Sequence, residues 1–367
     1  MTAAIFEPLT LRGLTVKNRI WLAPMCQYSV ERQDGVPTDW HLVHLGARAQ
    51  GGFGLVIAEA TAVTPDGRIS PQDTGLWDDE QRDAWARVVD FVHTQDAAFG
   101  VQLAHAGRKA STYRGFDGEP TGSVPVEDGG WSTRSVSDQA FPGYDAPSAL
   151  STDEIAEIVR AFGDAARRAD EAGFDVVEIH GAHGYLVHQF LSPLSNTRTD
   201  GYGGSFEGRT RLLLEIVDAV RGVWPEQKPV LVRLSATDWT AGGWDVEQTA
   251  RVSAQLHEHG VDLVDVSSGG NVLADIPVGP GYQVPFARQV REQAQVPSGA
   301  VGLILTPQQA EKVVAGGDAD VVLLARAALR EPSWPQRAAA ELGLGWRDAP
   351  YPAPYTRGKW DDVPSAV

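Results

Sequence analysis

Eight short apolar runs, separated by stretches of helical spacing, follow one another along this chain and leave few folds open to it. The runs are Arg19 to Ala23, Gly54 to Ala60, Gly100 to Ala104, Phe174 to Ile179, Pro229 to Leu234, Leu263 to Val266, Ser298 to Val301 and Asp320 to Leu324. Unbroken apolar runs of this length read as strands buried on both faces, as when helices cover a parallel sheet. Amphipathic stretches lie between them at Asp79 to Thr94, Thr152 to Ala172, Glu207 to Val223, Glu247 to His259 and Pro307 to Ala315. Ser151 precedes one helix with Glu154 three residues on, a capping box, and Thr306 precedes another. Gly173 and Gly260 close helices before the next strand. Eight such alternations, with no GxGxxG after the first strand, predict an α/β fold of the (β/α)8 TIM-barrel type rather than an open doubly wound sheet.

At 367 residues the chain fits one barrel domain, 1–367, with insertions. One insertion is residues 106–150, rich in Gly, Pro, Ser, Asp and Trp after the third strand. It is too long for an ordinary connection and is expected to cap the barrel mouth. The other irregular segment is the C-terminal tail, 343–367, with prolines at 350, 352, 354 and 364, expected to run extended over a surface. A formal charge of -17 makes phosphate backbones poor partners, so no nucleic acid is expected. No apolar run reaches the roughly eighteen residues a bilayer needs, and the N-terminus lacks a secretory pattern, so no membrane is expected. A single cysteine, Cys26, fits a cytoplasmic protein.

In a barrel the strand ends share one rim, where active sites assemble. That rim would collect Pro24, Met25, Cys26 and Tyr28, then Ala60, then Gln102 and His105, then His180, His183 and Tyr185. Arg233, the run Ser267 to Gly270, Gly302 and Arg326 complete it. The His pair is open to three readings: substrate or cofactor binding, a metal pair lacking an evident third ligand, or structure. Gly302 and Arg326 lie where barrels commonly hold phosphate, although a glycine after a strand is often only a turn. Arg233 ends a buried strand and needs an electron-rich partner: a flavin edge, with Gln102 beside it, or an internal pairing with Glu178 or Asp265.

The segments APMCQYS from residue 23, HAGRK from 105, HGAHGYLVHQFLSPLSNTRTDGYGGSFEGR from 180, AVGLI from 300 and LLARAALREP from 323 resemble the Old Yellow Enzyme family of FMN-dependent ene-reductases. The likeness runs over nearly the whole chain, and APMCQYS is similar to the thermophilic-like subgroup. The resemblance implies FMN held at its ring by Pro24, Met25, Cys26, Ala60, Gln102, His180 and Arg233. Gly269, Gly302 and Arg326 would hold the ribityl phosphate, with Ala325 standing where many relatives have Gly. It further implies that Cys26 tunes the flavin, that His180 and His183 grip the substrate oxygen, and that Tyr185 delivers the proton. Tyr28 would line the substrate pocket, its alternative being rim packing. Arg357 in the tail would enter a neighbouring subunit's site, which requires a homodimer or homotetramer.

The chemistry that the resemblance implies is reduction of α,β-unsaturated carbonyls, nitroalkenes or maleimides. NADPH would be the hydride donor, with NADH the alternative because nothing in the sequence reads a 2′-phosphate. Both ligands would use one site in turn, giving ping-pong kinetics. Cys26 as a nucleophile would need a paired His, and none is evident. His105, Lys109 and His188 are expected to be structural or to back the site. A cluster-bearing dienoyl-CoA reductase needs four cysteines and is excluded. A zinc or iron hydrolase and a non-catalytic flavin-binding protein are the remaining alternatives; no metal is expected.

Overall fold

The computed structural model describes residues 3–360. Eight parallel strands close into a barrel in chain order: Ile20–Leu22, Leu55–Ala62, Ala98–Ala104, Val176–Gly181, Val230–Ser235, Leu263–Ser267, Ser298–Ala300 and Val321–Leu324. The eighth pairs with the first through Leu323 and Trp21. All eight predicted runs are strands, with boundaries within a few residues of those read from the sequence.

Alternation along each strand sorts side chains between two environments. Leu22, Val56, Val101, Val177, Val232, Val264 and Val322 face the helical layer and join the main core, whereas Trp21, Leu55, Ile57, Val176, Leu231, Leu263 and Val321 fill the barrel's lower interior. An antiparallel hairpin, Leu9–Leu11 with Leu14–Val16, places Leu11 and Val16 in that interior cluster. Higher up, the same inward register carries polar residues: Glu178, Arg233 and Asp265, then Gln102, His180 and Ser267. The sequence thus changes from apolar to polar along one face as the strands approach the rim. In the second strand the register shifts between Ala58 and Ala60, at Glu59.

The predicted helices form at Asp79–His93, Thr152–Ala172, Phe206–Arg221, Val246–Glu258 and Pro307–Ala315. Ser151 and Glu154 make the reciprocal capping box, Thr306 accepts from the Gln309 N–H, and Gly173 ends its helix at φ 94°. Two further long helices were hidden in the sequence, Asp39–Gln50 and Val284–Ala294. The first has a capping box completed by His41 instead of Glu or Gln, with Trp40 and Val43 exposed and Arg48 buried. The second has no side-chain cap and ends on Gln295 at φ 54° where a glycine would be expected.

Residues 106–150 carry only two short turns of 3-10 helix and a pair of two-residue strands. Arg134 pairs with Asp66 at 2.7 Å, the Trp131 indole donates to Asp66 O, and the Ser135 hydroxyl donates to Gln189. The tail is not wholly extended, because Ala353–Gly358 forms a 3-10 helix with Pro354 in its first turn. Tyr355 Oη donates to Gln50 at 3.3 Å, and Arg357 is exposed. Residues 361–367 of the predicted tail, Pro364 among them, lie outside the described residues. Among those described, no helix is long and apolar enough to cross a membrane.

Candidate active site

His180 is the penultimate residue of the fourth strand, and the turn after it carries His183 and Tyr185. The His180 ring lies 5.2 Å from that of His183 and 5.1 Å from that of Tyr185, centroid to centroid. His183 adopts φ 59°, a left-handed conformation costing roughly 1–2 kcal/mol that its surroundings must hold. Its N–H donates to Ser235 Oγ at 2.9 Å and its carbonyl accepts from Lys109 Nζ at 2.9 Å. A Cβ on Gly270 would stand 2.7 Å from the His183 backbone, so the turn and the Ser267 to Gly270 loop are packed face to face. Beneath the turn, His188 Nδ1 accepts from the Gly184 N–H at 3.0 Å, while its Nε2 faces Asp238 at 3.0 Å.

Burial, then the Arg233 charge, holds both His180 and His183 well below the usual imidazole range. They are neutral at physiological pH and can donate a hydrogen bond without releasing a proton. Burial, with Cys26 and Asp73 nearby, pushes the Tyr185 phenol well up and keeps it protonated. Lys109 Nζ lies 5.2 Å over the Tyr185 ring, and burial beside Arg108 lowers its ammonium to about 8. Tyr28 and Cys26 pack with Tyr185 around Ala60, Ile69 and Ala104. The Cys26 thiol is pushed well up by burial, then by Asp73 and Glu59. A thiol rather than a thiolate makes a poor nucleophile, which disfavours that alternative for Cys26.

Below this group lies the polar layer. Arg233 Nε meets Asp265 Oδ2 at 2.9 Å, and Gln102 Nε2 donates to Glu178 Oε1 at 2.7 Å. The internal pairing considered for Arg233 is therefore formed, and its acid is Asp265. Both Nη groups of Arg233 nevertheless lack a hydrogen-bond partner among the described residues, and so does the Gln102 Oε1. Two spare donors of a fixed cation and one spare acceptor suit the polar edge of an isoalloxazine ring.

A cavity of about 130 Å³ opens between the ends of the sixth, seventh and eighth strands. Gly302, Leu303, Ala325 and Arg326 line it, with Tyr282 and Gln283 opposite. Gly302 has φ 111°, and a Cβ there would stand 2.9 Å from Gln283 Nε2, so only glycine suits this position. No acceptor among the described residues takes the backbone N–H groups of Gly302, Leu303, Ala325 or Arg326, which leaves a cradle suited to a phosphate. Gly269 does not line this cavity: its N–H donates to Thr237 O at 2.8 Å and its carbonyl accepts from Ser235. The arrangement of donors therefore fits FMN at both the ring and the phosphate end.

The fold brings all the predicted rim residues to one end of the barrel, while Arg357 stays on the surface of its own chain. Sequence reading missed the parts played by Ser267, Gln283 and Asp238. For Ser267 the signal was an inward-facing polar residue at a strand end and for Asp238 an acid just after the fifth strand; Gln283, at the start of a helix, carried none. Among the described residues no group of three or more His, Cys, Asp or Glu side chains is placed to hold a metal.

Residues 4–344 match the NADH:flavin oxidoreductase / NADH oxidase family. The chain is 48% identical over 359 residues to an NADPH dehydrogenase of Geobacillus sp. strain WCH70, covering 95% of this chain and all of the relative. It is 45% identical to the NADPH dehydrogenase of Bacillus subtilis strain 168, over 98% of this chain and 100% of that one. Among solved structures it superposes on an Old Yellow Enzyme homologue from Zymomonas mobilis with TM-score 0.78 and 27% identity, covering 99% of this chain and 100% of that one. Morphinone reductase in complex with tetrahydroNAD gives TM-score 0.76 at 28% identity, covering 98% and 97% of the two chains. The protein is an oxidoreductase that uses FMN with NAD(P)H. Its chain belongs to the NADH:flavin oxidoreductase / NADH oxidase family, among the Old Yellow Enzyme homologues.

Proposed function

We propose that this enzyme reduces the C=C bond of activated alkenes: α,β-unsaturated carbonyls, nitroalkenes and maleimides. The observation that carries the proposal is the pair of buried, neutral imidazoles in ring contact with each other, with the His180 ring also against a protonated tyrosine. Bound FMN would supply the hydride chemistry, with NADPH or NADH as the donor. Pro24, Met25, Cys26, Ala60, Gln102, His180 and Arg233 would hold its ring, and Gly302 and Arg326 its phosphate. Gly269 acts on this end only by shaping the loop that packs on His183.

As hydride reaches the β carbon, negative charge gathers on the carbonyl or nitro oxygen. His180 and His183 each direct an N–H at that oxygen and stabilise the transition state more than the ground state. Burial, with the Arg233 charge adding to it, keeps both imidazoles neutral, so the oxygen is solvated rather than protonated. Tyr185 then protonates the α carbon, giving net trans addition. The Lys109 ammonium over its ring stabilises the tyrosinate left behind. Tyr28 forms a wall of the pocket beside Tyr185, and Cys26 sets the polarity of the ring's environment. Nicotinamide and alkene take turns in one site, so the kinetics are ping-pong. Residues 106–150 cap this mouth, and Arg357 reaches the site of a neighbouring copy in a homodimer or homotetramer.

Anaerobic stopped-flow tests the proposal. NADPH is expected to bleach the yellow enzyme and cyclohexenone to restore its colour; a reduced enzyme that cyclohexenone, nitroalkenes and maleimides all leave bleached refutes it.

A further inference from the structure

His183 is joined to the cavity beside Gly302 by a short polar chain that the mechanism above leaves unused. His183 Nε2 lies 2.7 Å from Ser267 Oγ. Ser267 Oγ also lies 3.4 Å from Gln283 Oε1, which already accepts a 2.6 Å bond from the Ser268 hydroxyl. Gln283 is 2% exposed and lines the cavity.

Ser267 has one hydroxyl proton and two acceptors within reach. The contact to His183, at 2.7 Å against 3.4 Å, is shorter by far, so the proton goes to His183 Nε2. A neutral imidazole that accepts at Nε2 carries its own proton at Nδ1. His180 is arranged the other way. Its Nδ1 accepts from the Ala182 N–H at 3.4 Å, and its Nε2 has no partner among the described residues. A neutral ring accepting at Nδ1 carries its proton at Nε2.

We propose that Ser267 is a positioning residue that fixes His183 as its Nδ1–H tautomer, so that Nε2–H of His180 and Nδ1–H of His183 converge on one acceptor oxygen. The inference rests on the reading of this His pair as the oxygen site. Two imidazoles can both donate to one atom only if each spends its lone pair elsewhere. The Ala182 N–H takes that of His180, and the Ser267 hydroxyl takes that of His183. Without Ser267, His183 is free to place its proton at Nε2, the form favoured in water, and would turn a lone pair toward an oxygen that is gaining negative charge. Gln283 Oε1, at 3.4 Å, stands too far from Ser267 to compete well for that proton.

The test uses FMN-loaded enzyme labelled with ¹⁵N-histidine, with phenol as the probe. Long-range ¹H–¹⁵N spectra are expected to show His183 protonated at Nδ1, its signals assigned by their loss in His183→Ala. Ser267→Ala removes one oxygen from a buried site. It is expected to move His183 to the Nε2–H form and to weaken phenol binding about tenfold, the scale of one hydrogen bond to an anion. The FMN spectrum should keep its yellow bands in this variant. A wild-type His183 protonated at Nε2 overturns the proposal, and that spectrum decides the tautomer even if the variant fails to hold FMN. So does a Ser267→Ala enzyme that keeps both the tautomer and the phenol affinity. A yellow wild-type enzyme that gives no phenol charge-transfer band sinks the reading of the His pair itself, and this inference with it.

Discussion

Removing Arg233 should expose how strongly the polar layer depends on one cation. Asp265 is fully buried and Glu178 likewise, and burial pushes both carboxyls up while Arg233 pulls them down. Arg233→Met keeps the volume and removes the charge, leaving two buried acids without a cation. Breaking a buried ion pair in this way costs about 3–5 kcal/mol. The loss has a definite pH dependence. With Arg233 gone, the folded-state values of Asp265 and Glu178 rise further above their unfolded ones. The folded variant then binds more protons than the unfolded chain, so its stability falls as pH rises and returns as pH drops. One such proton is worth up to about 1.4 kcal/mol per pH unit, and because burial already raises wild-type Asp265 to about 6, moving from pH 7.5 to 5.5 should recover about 2 kcal/mol relative to wild type. Urea midpoints of the FMN-free proteins at the two pH values measure this. A deficit that is small, or equally large at both pH values, refutes the claim that Arg233 compensates these acids.

Tyr185→Phe should slow reoxidation by cyclohexenone roughly 10²–10⁴-fold, the usual worth of a positioned general acid, while bleaching by NADPH and phenol binding stay near wild type; stopped-flow separates the two halves. The rate of alkene reduction should fall as pH rises through about 8, because Lys109 then loses the charge that stabilises the departing tyrosinate. Lys109→Met should flatten that limb of the profile. Gly302→Ala should cost at least tenfold in FMN affinity, since its Cβ meets Gln283 and its φ of 111° is strained for alanine; fluorescence titration of FMN-free protein reads it. Arg357→Ala should alter alkene KM with FMN content unchanged, and unaltered kinetics would remove Arg357 from any neighbouring site.

The barrel was legible because its strands are apolar on both faces and its turns carry Ser, Thr and Gly where caps require them. The helix from Asp39 escaped because His41 does the work of a capping acid and Trp40 is exposed. The placement of the His turn and of Gly302 and Arg326 at the rim was legible from the strand ends, and the choice among their possible roles came only from the family resemblance. Gly269 shows where that logic stops: a glycine near the right strand end says nothing about where its N–H points, and here Thr237 takes it. Ser267 and Gln283 lie sixteen residues apart in sequence, and only barrel closure brings them beside His183. The pairing of Arg233 with Asp265 was foreseen only as an alternative to a flavin edge. The structure sets the acid 2.9 Å from Nε on one side of the guanidinium and leaves the other side free.

The most direct test of the account is a crystal structure of the FMN-loaded enzyme with a para-substituted phenol. The phenol oxygen is expected within hydrogen-bond distance of both His180 Nε2 and His183 Nδ1, with the Tyr185 hydroxyl facing the ring from the side away from the flavin. A phenol oxygen bound elsewhere, or a metal ion held between the two imidazoles, would contradict it.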